Sequence, residues 1–182
     1  MIDAFDKLRE ELGQNDNFLV YYAGHGWFDE AEGRGYWQPV NARLSRRSNW
    51  MSNARLTDSI KALQAKHVMV VADSCYSGVL TRSIKVAERT IDYIERMASR
   101  RTRVVLTSGG LEPVMDSGGC EHSVFAEQFL KVLEINTGVL DRTQFFEKVR
   151  RPVVLAVPQT PQYSDIRFSG HYGGDFLFVR KY

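Results

Sequence analysis

Two side chains in this chain have the types and the local setting for acyl-transfer chemistry. They are His25, in Tyr21-Tyr22-Ala23-Gly24-His25-Gly26, and Cys75, in Asp73-Ser74-Cys75-Tyr76-Ser77-Gly78. A thiol with a pKa of about 8.5 is only a few per cent thiolate at neutral pH. An imidazole within hydrogen-bond reach takes that proton as the sulfur attacks a carbonyl, and later returns it to the leaving amine. The small neighbours matter as well. Glycine and serine let a substrate backbone approach closely, and they leave main-chain N–H groups able to face a developing oxyanion. Taken singly, a buried thiol or a turn histidine is more often structural; the pairing favours catalysis.

Such a pair works only if the fold brings it together. Phe18 to Tyr22 and Val68 to Ala72 are continuous β-branched and aromatic runs that read as buried strands, and His25 and Cys75 follow their ends. Val104 to Thr107 reads as a third strand, running into Ser108-Gly109-Gly110, and Tyr36 to Val40 as a short one. The spacing of Ile2, Phe5, Leu8 and Leu12 predicts a first helix closed by Gly13; Leu56, Ile60 and Leu63 predict a second. Ala126, Phe129, Leu130 and Leu133 predict a third, with Ser123 as its cap, and a weaker helix spans about Asp141 to Arg150. The proline-rich stretch from Arg151 to Gly170 reads as loop, and Phe176 to Val179 as a closing strand. Apolar strands alternating with helices predict an α/β fold, a mostly parallel sheet covered on both faces. In such sheets function gathers at the carboxyl ends of the strands.

Composition narrows the class. The 182 residues, 43% hydrophobic and 25% charged, suit one folded domain spanning 1–182 and exclude disorder as the general state. A formal charge of +2 gives no reason to expect nucleic acid as a partner. No apolar run approaches the roughly 20 residues of a spanning helix, so no membrane partner is expected. The two cysteines, Cys75 and Cys120, form neither a disulfide framework nor a metal-ligand spacing. With no signal-peptide layout at the N-terminus, a reducing, cytoplasmic setting is the expectation.

The blocks around His25 and Cys75 resemble the two signature blocks of caspase-like cysteine peptidases. The likeness is to the metacaspase and bacterial branch, with its D-x-C-x-S-G block. Caspases place the histidine about 50 residues upstream of the cysteine, as here. Gly35-Tyr36-Trp37-Gln38-Pro39-Val40, Thr107-Ser108-Gly109-Gly110, His122-Ser123-Val124-Phe125-Ala126 and Gly173-Gly174-Asp175-Phe176-Leu177-Phe178 look similar too. The resemblance implies a three-layer αβα sandwich and a cysteine endopeptidase. It gives His25 as general base, Cys75 as nucleophile, and the N–H groups of Cys75 and Gly26 as oxyanion donors. It makes Asp73 the pocket residue for a substrate Arg or Lys. Apart from the resemblance, Ser108 follows a strand and would border the groove, although a tight turn explains Ser108-Gly109-Gly110 almost as well. The chemistry requires no cofactor, although some metacaspases depend on calcium. The partner would be a protein or peptide substrate.

In this family a strand-helix-strand segment normally precedes the first helix read here, so the chain is expected to be N-terminally truncated, with a fragment supplying the absent strands as a second partner. Asn41 and Cys120 depart from the family pattern without touching the dyad. The competing reading is a non-catalytic caspase-like module that binds or regulates a partner. Between Arg82 and Arg103 seven Lys/Arg face three acids. This run reads as a solvated helix face, and for a basic-specific protease as a place of self-cleavage. His122 and His171 read as structural; Trp27, Trp37 and Trp50 read as core residues near the His25 turn.

Overall fold

The computed structural model describes residues 1–43, 45–74, 90–110 and 122–181. Cys75, Cys120 and the basic residues Arg82, Lys85 and Arg89 lie outside the described residues. The order along the chain is α1 (Ile2–Glu11), β1 (Asn17–Ala23), β2 (Gly26–Asp29), β3 (Arg34–Trp37), β4 (Met51–Ser52), α2 (Asn53–Ala62) and β5 (His67–Asp73). Then come α3 (Ile91–Ser99), β6 (Thr102–Thr107), α4 (Val124–Glu134), β7 (Val139–Leu140), α5 (Arg142–Ala156), β8 (Gln162–Asp165) and β9 (Phe178–Val179).

The central sheet has the order β1-β5-β6-β8. The first three strands are parallel and β8 runs antiparallel at the far side. The alternation of side chains along β5 and β6 sorts the core into two layers. Val68, Val70, Ala72 and Val105 pack with Phe5, Leu56 and Ile60 of α1 and α2. Met69, Val71, Val104 and Leu106 pack with Phe125, Phe129, Phe145 and Val149 of α4 and α5. Helices thus cover both faces of a mostly parallel sheet, the expected three-layer αβα sandwich. β1 alternates differently: Phe18, Val20 and Tyr22 are half-buried towards α1 and α2, whereas Leu19 and Tyr21 on its other face are exposed.

Four helices start on a side-chain cap. Ser52, Thr90, Ser123 and Asp141 each accept a hydrogen bond from the backbone N–H three residues on. Such caps satisfy N–H groups that the first helical turn leaves without partners.

Four expectations need correction. The stretch from Arg151 to Gly170 is not all loop: α5 continues through Pro152 to Ala156, and β8 follows. Proline costs the helix one bond, but Val149 and Val153 on either side of it are fully buried, and that burial carries the helix on. The closing strand is shorter than expected and pairs with β7, outside the central sheet. The strand read at Tyr36 to Val40 ends at Trp37 and is the middle of a three-stranded antiparallel sheet, β2-β3-β4, whose first strand starts one residue after His25. The basic run is only partly a helix face. Arg103 stands in β6 with no exposure at all, and all five of its donors reach backbone oxygens: Ile60, Leu63, Ala65, Lys66 and Thr102. Three of these carbonyls, Leu63, Ala65 and Lys66, lie in the chain leaving α2, where a cation complements the helix dipole.

Candidate active site

Neighbouring parallel strands set the geometry of this site. β1 pairs with β5 in the register Ala23↔Asp73, and the Gly24 N–H donates to the Asp73 carbonyl at 3.4 Å. His25 and, in the sequence, Cys75 each stand two residues beyond this pair. Ser74, the last described residue before Cys75, is buried.

His25 itself is exposed, in the turn between β1 and β2, and its main chain is held firmly. Its carbonyl lies 2.8 Å from the Tyr22 hydroxyl and accepts from the Gln38 N–H at 2.9 Å. The same hydroxyl accepts from the Gln38 N–H at 3.0 Å and lies 2.9 Å from the Gln38 carbonyl, so its one proton serves either oxygen. The Tyr22 ring stacks on Trp37, with centroids 4.2 Å apart and the planes parallel within 1°. Burial pushes the phenol up to about 12, which keeps it a donor at neutral pH. Gly24 fits beneath this assembly because a Cβ there would come within 2.9 Å of the Tyr22 hydroxyl oxygen. Gly26 opens β2 opposite Trp37.

Asp73 closes β5 and is 8% exposed. The alternation of Met69, Val71 and Asp73 turns it towards α4 and α5. Its Oδ2 accepts from the Ser123 hydroxyl and, at 3.4 Å, from Tyr21 on β1. Ser123 is also the N-cap of α4, its oxygen accepting from the Ala126 N–H at 3.0 Å. Tyr21 packs edge-on against Phe129 of α4. Burial, reinforced by the nearby Asp73 carboxylate, raises the Tyr21 phenol far above its ordinary value. Ser108 follows β6 with no exposure, and its N–H donates to the Ala72 carbonyl at 3.0 Å. Its Oγ has no hydrogen-bond partner among the described residues.

His25, Asp73 and Ser108 therefore share one edge of the sheet. The other histidines stand apart from it in role. His122 is exposed before α4, and His171 accepts the Arg103 N–H on Nδ1 while its Nε2 lies 3.4 Å from Asp165. Trp37 is the core partner of Tyr22, Trp50 is buried, and Trp27 lies beneath the guanidinium of Arg47, 4.2 Å from its carbon. Among the described residues no three His, Cys, Asp or Glu side chains converge as a metal site, and no helix is long and apolar enough to cross a membrane. Sequence reasoning did not find Tyr22 and Gln38 as the clasp of the His25 turn, or the bond from Ser123 to Asp73. The cap was visible at Ser123; its partner, 50 residues upstream, left no local signal.

Comparisons with known proteins agree with this geometry. A solved structure of a structural-genomics target from Geobacter sulfurreducens is similar, with a TM-score of 0.58 over 89% of this chain and 70% of that one. At 19% identity the likeness concerns the fold alone. No curated protein matches the sequence. The sequence model of the caspase domain, peptidase family C14, matches residues 1–169. With the parallel sheet carrying His25 and Asp73 at one edge, that match makes the chain a member of the caspase-domain family of cysteine peptidases.

Proposed function

We propose that this protein is a cysteine endopeptidase that hydrolyses peptide bonds after Arg or Lys through a dyad of Cys75 and His25. The observation that carries the reading is the register Ala23↔Asp73, because two parallel neighbours end together and both dyad residues follow by two positions. His25 removes the thiol proton, Cys75 attacks the scissile carbonyl, and a thioester acyl-enzyme forms as His25 protonates the leaving amine. Water, deprotonated by the same imidazole, then releases the acid. The N–H groups of Cys75 and Gly26 hold the oxyanion.

Asp73 supplies the preference for a basic residue before the cut. A carboxylate with little exposure attracts a guanidinium through charge-assisted hydrogen bonds, and it repels a substrate aspartate. At short range and reduced dielectric that difference is on the order of a few kcal/mol, or about a hundredfold in rate. Ser108, buried at the neighbouring strand end, borders the same pocket.

Matched fluorogenic peptides ending in Arg, Lys, Ala and Asp test the reading. Wild type should cleave the Arg and Lys peptides at least about a hundredfold faster than the Asp peptide. Cys75→Ala and His25→Ala should each abolish cleavage, and the double variant should cost little more, since both groups serve one step. Cleavage that survives Cys75→Ala would overturn the mechanism. Equal rates after Arg and Asp would overturn the specificity.

A further inference from the structure

We propose that Ser123 is the positioning residue for the specificity carboxylate, so that the N-terminus of α4 sets how well the enzyme receives a basic side chain. The inference rests on the reading of Asp73 as the pocket residue. An ordinary N-cap serine spends its oxygen lone pair on the helix and gives its proton to water. Ser123 gives both to the protein: its oxygen accepts from Ala126, and its proton goes to Oδ2 of Asp73, on a strand 50 residues away. Tyr21 donates to the same oxygen from β1, on the opposite side from β6. A carboxylate held by donors from two separate elements cannot swing freely about its Cβ–Cγ bond. A guanidinium then meets it already oriented, and a charge-assisted hydrogen bond depends strongly on that orientation. The carboxylate also lies at the positive end of the α4 dipole, which favours its ionised form, the form that attracts a cation.

Ser123→Ala removes the donated bond and leaves Asp73 in place. Ser123→Thr keeps both the cap and the donor. Binding of agmatine, a small guanidinium probe, to each protein by calorimetry reads the pocket without requiring turnover, and the Arg-to-Ala peptide ratio reads it during turnover. Ser123→Ala should bind agmatine about tenfold more weakly and lower the Arg-to-Ala ratio by a similar factor through KM. Ser123→Thr should restore both values. Asp73→Ala should abolish agmatine binding altogether.

Agmatine affinity and peptide ratio unchanged in Ser123→Ala, with Asp73→Ala defective, would overturn the inference and make Ser123 a helix cap only. Wild-type binding retained in Asp73→Ala, or no binding by wild type, would overturn the pocket reading and this inference with it.

Discussion

Replacing Arg103 by Met should be among the most damaging single changes available in this chain, although it is remote from the dyad. The guanidinium is fully buried, and each of its five N–H groups meets a carbonyl: Nε reaches Ile60 at 3.3 Å, Nη1 reaches Lys66 at 3.1 Å and Thr102 at 2.7 Å, and Nη2 reaches Leu63 at 3.0 Å and Ala65 at 2.7 Å. Burial lowers the group to about 10, so it is still protonated at neutral pH. Hydrogen bonds from a charged donor contribute about 1.5–3 kcal/mol each, and five would equal the whole stability of a typical domain. The sum overstates the loss, because methionine also removes the cost of burying a charge. What methionine leaves is buried carbonyls short of a donor, at about 1–3 kcal/mol each, and because Ile60, Leu63 and Lys66 keep other donors a loss of about 3–5 kcal/mol is the better guide. For a chain of this size that lowers the melting temperature by about 6–20 °C. Arg103→Lys, with three donors for five carbonyls, should fall between the two. Thermal melts followed by circular dichroism, with urea titrations for the free energy, decide it. An Arg103→Met protein melting within about 2 °C of wild type would refute the reasoning.

Gly24→Ala should push the new Cβ against the Tyr22 hydroxyl and shift the His25 turn; kcat/KM should fall at least about tenfold while the melting temperature moves little, and an unchanged rate would show that the turn tolerates the shift. Asp175 is fully buried and its carboxyl is raised to about 6, burial outweighing Arg142 and the two N–H groups it accepts. A raised carboxyl contributes stability fully below its unfolded value and loses it as pH rises through about 6. Between pH 4 and pH 7 wild type should lose about 2 kcal/mol relative to Asp175→Asn in urea titrations, and parallel profiles would refute this. If the protein cuts itself, mass spectrometry should place the cut after Arg82, Lys85 or Arg89 and not after Arg100 or Arg101. Arg101 is tied to Lys61 and Leu63 and its carbonyl accepts from Tyr172, while Gly174 lies tight against the Arg100 carbonyl. A cut at Arg100 or Arg101 in native protein would contradict that packing.

The legible parts of this fold were those decided locally. β5 and β6 are buried on both faces, so their centres, Val68 to Ala72 and Val104 to Leu106, are continuous apolar runs, and the positions of His25 and Cys75 after strands followed at once. α4 carries a cap and an apolar stripe together. The small antiparallel sheet escaped because its middle strand, Arg34–Trp37, holds a glycine and an arginine among four residues and takes its shape from partners on either side. The end of α5 escaped because proline is a strong local stop signal, and what overrides it is the burial of Val153 against other elements. Arg103 was read with its basic neighbours as solvated, since nothing near it in sequence marks the carbonyls at and beyond the end of α2 that receive it. The proposed dyad was visible as residue types; the contacts around His25 and Asp73, Tyr22 on Gln38 and Ser123 on Asp73, join positions 16 and 50 residues apart.

These long-range contacts fall at opposite ends of the same strands, and the division has a physical basis. At the amino edge of the sheet, where β5 and β6 begin, Arg103 closes the chain leaving α2, His171 receives the Arg103 N–H, and Thr102 donates its own N–H to the Lys66 carbonyl. Polar groups there are consumed by backbone, which suits a fastening. At the carboxyl edge the polar groups are oriented instead: the His25 main chain is clasped while its side chain stays exposed, and the Asp73 carboxylate accepts from the hydroxyls of Ser123 and Tyr21. Under the proposed function that carboxylate is the charge a basic substrate meets, and its orientation sets how well the two fit. Seven residues of β5 separate the two edges by about 20 Å, far enough for changes at one to add independently to changes at the other. The sheet can therefore keep its stability at one end and leave the other free to bind.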